Sequence, residues 1–261
     1  MHVATHSMPG FAFDLKRRET KRERASFDAV RRAERHYTVQ LRKVARAVGD
    51  IVKAFPADDP LSIPKMQAAL HRYSELLVPW AEAVAKSMLV DVSRRDERVW
   101  AQITEGMGVA LRDEIRRAPT GARMQFLLAD QVAEITSIPK DAAERLGKLV
   151  TEALYTGTRA AEISKEIQYS GHVSRSRADM LARTGVGTAS TQLTRARAEY
   201  IQSPGYLWRT SRDSAVRESH RKMEGKFVAW DKPPTLDNYT AHAGEPANCR
   251  CWCEPIVPGV Q

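Results

Sequence analysis

From about residue 16 to residue 55, apolar side chains recur at three- and four-residue steps: Phe27, Val30, Tyr37, Leu41, Val44, Val48, then Ile51 and Val52. This is the period of one face of an α-helix. The Pro56-Ala57-Asp58-Asp59-Pro60 string ends it. Ser62 can cap a second helix, striped by Met66, Leu70, Tyr73 and Leu77, which Pro79 stops or kinks. A third helix is predicted from about 80 to 117, with Val84, Met88, Val92, Val99, Ile103 and Leu111 inward and Gly106 and Gly108 as weak points. After the Pro119-Thr120-Gly121 turn, shorter helices are predicted over 122–134, 140–155 and 159–168, separated by Ser137-Ile138-Pro139 and by Gly157. A long helix follows, about 173–202, with Ala178, Ala182, Val186, Ala189, Leu193, Ala196 and Tyr200 in a regular seam. Its small residues suit close packing against another helix, with Gly185 and Gly187 marking a contact or a bend.

Beyond residue 202 the period changes. Tyr206-Leu207-Trp208-Arg209-Thr210 and residues 226–230 read as short strands. Between them a helix is expected to start at Thr210 or Asp213 and to close at Gly225, with His220 pointing inward alongside Val216 and Met223. Cys249, Cys251 and Cys253 alternate with Arg250 and Trp252, so a strand there would turn three thiols to one face. The pattern predicts an α+β fold that is mostly helical, with long N-terminal helices followed by a small C-terminal mixed α/β domain. The division is a flexible N-terminal arm over 1–15, a helical region over 16–170 and a C-terminal domain over 171–261.

The chemistry concentrates in that last domain. His220 with Cys249, Cys251 and Cys253 is the ligand set of a Cys₃His zinc site. Against it, a Cys-x-Cys pair on a regular strand holds its sulfurs about 7 Å apart, too far for tetrahedral zinc. The expectation is therefore no cofactor and no catalytic residue, with zinc as the alternative. Asp213, His220 and a cysteine form a conceivable nucleophile set. No P-loop, GxSxG or HExxH motif accompanies it. Arg183 and Arg250 are each placed to pair with a carboxylate such as Asp213 and hold the helix to the sheet.

Several separated blocks of this region resemble one family. Ala182-Arg183-Thr184, then Trp208-Arg209-Thr210-Ser211-Arg212-Asp213, Met223-Glu224-Gly225 and Asn248-Cys249-Arg250-Cys251 follow the order and separations of the C-terminal signature of phage Mu F-like minor head (head morphogenesis) proteins. The resemblance covers about residues 175–257. Where some relatives carry Cys-x-x-Cys, this chain has Arg217-Glu218-Ser219-His220. The resemblance implies structural roles for Arg183, Thr184, Trp208, Thr210, Asp213, His220, Gly225, Asn248, Cys249, Arg250 and Cys251. It also implies a minor capsid component that associates with the portal, and with major capsid or scaffolding protein, inside the head of a tailed phage or prophage during assembly and DNA packaging.

Composition adjusts this picture at two points. The chain of 261 residues has a net charge of +9, and residues 1–55 hold thirteen Lys and Arg against six Asp and Glu. Lys16, Arg17, Arg18, Lys21, Arg22 and Arg24 are candidate contacts for DNA phosphates, and a non-specific DNA-binding module is one alternative function. A metal-dependent hydrolase or nuclease using His220 and the cysteines is the other. No apolar run approaches the roughly 18–20 residues needed to span a bilayer. The N-terminus shows no basic-then-apolar signal arrangement, so the expected location is the host cytoplasm during assembly and then the virion, with no membrane partner.

Overall fold

The computed structural model describes residues 9–56, 59–103, 113, 115–156 and 160–258, with side chains of the first helix described from Val30 onward. The fold is α+β and mostly helical. Helices α1 (Pro9–Lys53), α2 (Ile63–Leu76), α3 (Val78–Ile103), α4 (Thr120–Thr156), α5 (Ala160–Gln168) and α6 (Ser170–Tyr200) precede the small sheet region. Of the predicted arm, residues 1–8 lie outside the described residues, and the chain is helical from Pro9. The predicted inward Leu111 and the glycines at 106 and 108 also lie outside them. Among the described residues no helix is long and apolar enough to cross a membrane.

The stripes read from the sequence become one helical core. Tyr37, Leu41, Val44 and Val48 of α1 pack with Met66 and Leu70 of α2, Ala85, Leu89 and Val92 of α3, and the α6 seam from Ala178 to Leu193. The small residues of that seam let α1 and α6 approach closely, so that a methyl group added at Gly49 would lie 3.5 Å from the Gly171 Cα. Tyr200 departs from the prediction: it is exposed, at the end of a helix whose inner face there is taken by Ala196, Arg197 and Ala198.

Two predicted boundaries fail. The separate helices over 122–134 and 140–155 are one helix, α4, running through Pro139. A proline inside a helix costs about 3 kcal/mol, whereas burying one large aliphatic side chain returns about 1.5–3 kcal/mol. Ile135, Ile138 and Leu146 are all fully buried around it. Tertiary packing therefore overrides the local break, and the Ser74 hydroxyl of α2 donates to the Thr136 carbonyl next to the disturbed turn. The predicted helix from Thr210 or Asp213 to Gly225 is reduced to the single turn α7, Glu218–Arg221. The Asp213 carboxylate accepts from the Ala215 amide and from the Ser211 hydroxyl, an Asx turn that uses up the capping oxygen before a helix can start.

The sheet region follows α6. Strands β1 (Gly205–Thr210), β2 (Phe227–Ala229) and β5 (Cys251–Pro255) form an antiparallel sheet in the order β2-β1-β5. Thr210 pairs with Cys251 and Trp208 with Cys253. β3 (Thr235–Leu236) and β4 (Tyr239–Thr240) form a hairpin whose central Asp237 and Asn238 both have positive φ, the backbone of a tight two-residue hairpin turn. A second core forms here from Tyr206, Trp208, Val228, Trp230 and the cysteines, with Trp100 of α3 inserted into it.

α6 serves both cores. Near its C-terminal end a buried ion pair, Arg197 with Asp96 of α3, is completed by the Thr194 hydroxyl, which donates to the other Asp96 oxygen at 2.6 Å. Burial pushes the Arg197 guanidinium down to about 10, still charged at neutral pH.

Candidate functional site

The motif residues converge where α6, β1 and the chain entering β5 meet. The Asn248 backbone is left-handed (φ 57°), and its amide donates to the Thr184 hydroxyl at 3.1 Å. Arg183, one residue earlier on α6, donates through Nη1 to Asn248 Oδ1 at 3.0 Å and through Nε to Glu34 of α1 at 2.9 Å. Arg183 thus links three parts of the chain, and its carboxylate partner is Glu34, not Asp213. Arg250 is the residue that meets Asp213, donating from Nε to Oδ2 at 2.8 Å. Burial alone would raise the Asp213 carboxyl, but hydrogen bonds from Ser211, Ala215 and Arg250 outweigh it and hold the group below its ordinary value.

Thr210 and Gly225 lock the same end of β1 on the side facing β2. The Thr210 amide and hydroxyl both donate to Glu224 Oε2, at 2.8 and 2.6 Å. Gly225 takes a left-handed φ of 74°, and its amide donates to the Trp208 carbonyl at 2.8 Å while the Trp208 amide donates to the Lys226 carbonyl at 2.9 Å. The Glu224 carboxyl is also held below its ordinary value: burial pushes it up, and the bonds from Thr210 and Arg212 push it further down.

His220 is carried by α7 into the second core and is buried. Its ring stands edge-on to Trp208, with centroids 5.4 Å apart. Its Nδ1 lies 3.5 Å from Cys249 Sγ and 3.5 Å from Cys251 Sγ, and the ligand atoms of the three residues all lie within 4.8 Å of one another. The expected 7 Å separation does not apply, because Cys249 precedes β5 and follows the turn at Asn248, so the two sulfurs are not successive members of one strand face. Cys253 is on the strand and buried, but its thiol is directed to the Ala243 carbonyl at 3.6 Å. The three thiols therefore do not act as one set. A hydrogen bond from the Cys251 thiol, helped by His220 and the Gly244 amide, holds Cys249 down to about 4, while the neighbouring sulfur and burial raise Cys251. Burial raises Cys253.

The conceivable Asp213-His220-cysteine relay is not assembled. Asp213 is bonded to Arg250 and Ser211, and the carboxylate facing His220 is Asp237, 3.9 Å from Nε2. The basic cluster Lys16, Arg17, Arg18, Lys21, Arg22 and Arg24 is on α1, outside the residues whose side chains are described.

Two contributors escaped the sequence reading. Thr191 of α6 donates to the Ala243 carbonyl. His242 is buried, with the Tyr206 hydroxyl 3.1 Å from its Nδ1, and burial lowers its proton affinity. The only sequence signal for these two was the run of small residues around His242 in Ala241-His242-Ala243-Gly244. Gly187, expected to mark a contact or a bend, is a contact: it lets α6 meet the loop backbone, since a methyl group there would fall against the Gly244 carbonyl oxygen.

Residues 144–254 match the family model described as Phage Mu protein F like protein. This part of the chain is similar to the Phage Mu F-like proteins. The match begins inside α4, earlier than the first recognisable motif on α6, and takes in every motif residue named above. An uncharacterised protein of Haemophilus influenzae is 27% identical over 214 residues, covering 80% of this chain and 46% of that protein. The NAD(+)–arginine ADP-ribosyltransferase EFV of Enterococcus faecalis is 26% identical over 129 residues, covering 45% of this chain and 26% of that protein. The chain thus spans less than half the length of either relative. No solved structure matches.

Proposed function

We propose that the chain is a minor structural protein of a phage head, acting in head morphogenesis through contacts with the portal and other head proteins rather than through catalysis. The observation that carries this reading is the Mu F-like match over residues 144–254, joined to the way the motif residues are used. Arg183, Thr184, Thr210, Asp213, Asn248 and Arg250 spend their hydrogen bonds on one another and on Glu34 and Glu224, tying helices to sheet. His220, Cys249 and Cys251 are buried. A shared signature built this way preserves a shape, and a shape is what an assembly component contributes.

Within this proposal, residues 16–170 carry the portal-binding surface and the +9 net charge favours the chain's stay beside packaged DNA. The test is co-expression of the full chain with the portal protein of the same phage, followed by affinity purification through the portal. Recovery of the chain at a fixed stoichiometry supports the reading. Failure to co-purify, both in this pairing and from a producing cell, overturns the portal assignment.

A further inference from the structure

Among the described residues, His220, Cys249 and Cys251 gather three metal-ligating atoms in one buried place. Two thiolates and an imidazole are a donor set that selects zinc over the oxygen-seeking cations. With Zn–N near 2.05 Å and Zn–S near 2.3 Å, the N to S edge of a regular tetrahedron is about 3.6 Å. Both N to S separations here are 3.5 Å. We propose that His220 Nδ1, Cys249 Sγ and Cys251 Sγ are three ligands of a single zinc ion, which ties the one-turn helix α7 to the chain entering β5.

The surroundings support this assignment on independent grounds. A histidine that ligates through Nδ1 needs its proton on Nε2, and Nε2 faces the Asp237 carboxylate at 3.9 Å. Asp237 is itself held by the Ser219 hydroxyl, which donates to the same oxygen at 2.8 Å. The Trp208 indole N–H is fully buried without a hydrogen-bond partner, and its neighbour among possible acceptors is the Cys251 sulfur. A neutral thiol accepts weakly; a metal-bound thiolate would satisfy that orphaned donor. The left-handed Asn248 brings Cys249 back toward Cys251, which a straight Cys-x-Cys strand cannot do. Cys253 stays outside the set, and among the described residues no other side chain joins it, which leaves the fourth tetrahedral position to a ligand such as water.

The test uses the full-length, fully reduced chain stripped of metal and titrated with Co²⁺ as a spectroscopic stand-in for zinc. The proposal expects a thiolate-to-cobalt charge-transfer band with intense visible tetrahedral absorption, saturating at about one equivalent and displaced by zinc. Cys249→Ser and Cys251→Ser should each abolish the band, and Cys253→Ser should keep it. Asp237→Asn, at an exposed position, should weaken binding by about 10–100-fold without unfolding the chain. Absence of the band in the folded wild type overturns the proposal, and so does its loss in Cys253→Ser. A Cys249–Cys251 disulfide in chain isolated from reducing cytoplasm would also overturn it.

Discussion

At the scale of single residues, the two carboxylates beside β1 set the acid sensitivity of the C-terminal region. Asp213 and Glu224 bind protons more weakly in the folded chain than in the unfolded one. The unfolded chain therefore holds more protons in that range, and stability rises with pH across it. The contribution is fully present above the unfolded carboxyl range, at about pH 4, and is lost as pH falls through the depressed folded values. Glu224→Gln removes the charge that accepts from Thr210 and Arg212. We expect that variant to lose about 1–3 kcal/mol at pH 7. Denaturant melts at pH 7 and at about pH 3 should show the gap from wild type closing in acid; an equal gap at both would mean that Glu224 acts by shape alone.

The three thiols show what residue spacing conveys and what it leaves out. Alternation correctly marked Cys251 and Cys253 as inward members of β5. It could not show that Cys249 lies before the strand, because that depends on the φ of Asn248. The burial of His220 was legible from its place beside Val216 and Met223, although the helix expected to carry it is one turn long.

At the scale of elements, the glycines of α6 discriminate between helix propensity and packing. Replacing an open helical glycine by alanine gains roughly 0.5–1 kcal/mol. Gly121, in the first turn of α4, has nothing within 4 Å of the added methyl, so Gly121→Ala should stabilise by about that much. At Gly187 the methyl would run into the Gly244 carbonyl oxygen, and Gly244 is itself fixed by a φ of 94° and by the bond from the Thr191 hydroxyl to the adjacent Ala243 carbonyl. Gly187→Ala should therefore destabilise by about 1–3 kcal/mol. Gly185→Ala should fall between them, because its obstacle is the Gln131 side chain, which can swing away by giving up its bond from the Tyr37 hydroxyl. Thermal melts of the three variants should rank in that order, and a Gly187→Ala protein as stable as wild type would refute the close approach of α6 to the loop.

The helices themselves were largely readable, since the stripes of α1, α2 and α6 are periodic over many turns and become the helical core. Pro139 misled because a local break is visible in the sequence, whereas the burial of Ile135, Ile138 and Leu146 that overrides it is a tertiary fact. The helix predicted to start at Asp213 failed for the converse reason. A good capping residue also suits an Asx turn, and the partner that decided the matter, Arg250, is 37 residues away.

At the scale of the whole molecule, α6 is the member that holds helical layer and sheet region together, and the Asp96–Arg197 pair is its anchor. The two residues are 101 positions apart in sequence, so no local pattern announced them. Removing one partner leaves an uncompensated buried charge. Asp96→Asn or Arg197→Met alone should cost about 3–5 kcal/mol. The pair replaced together by Leu and Met should cost less than the sum of the two, and an additive double-mutant cycle would show that the charges do not interact.

The same architecture frames the assembly reading: a shared C-terminal signature used to build a shape, attached to long helices. The measurement that tests this most directly is quantitative mass spectrometry of purified heads from a producing cell, after protease and nuclease treatment of intact particles. The chain is expected in the protected fraction, at a copy number well below that of the major capsid protein. Its absence from heads, with the protein recovered only free in the lysate, would contradict a structural role in the head.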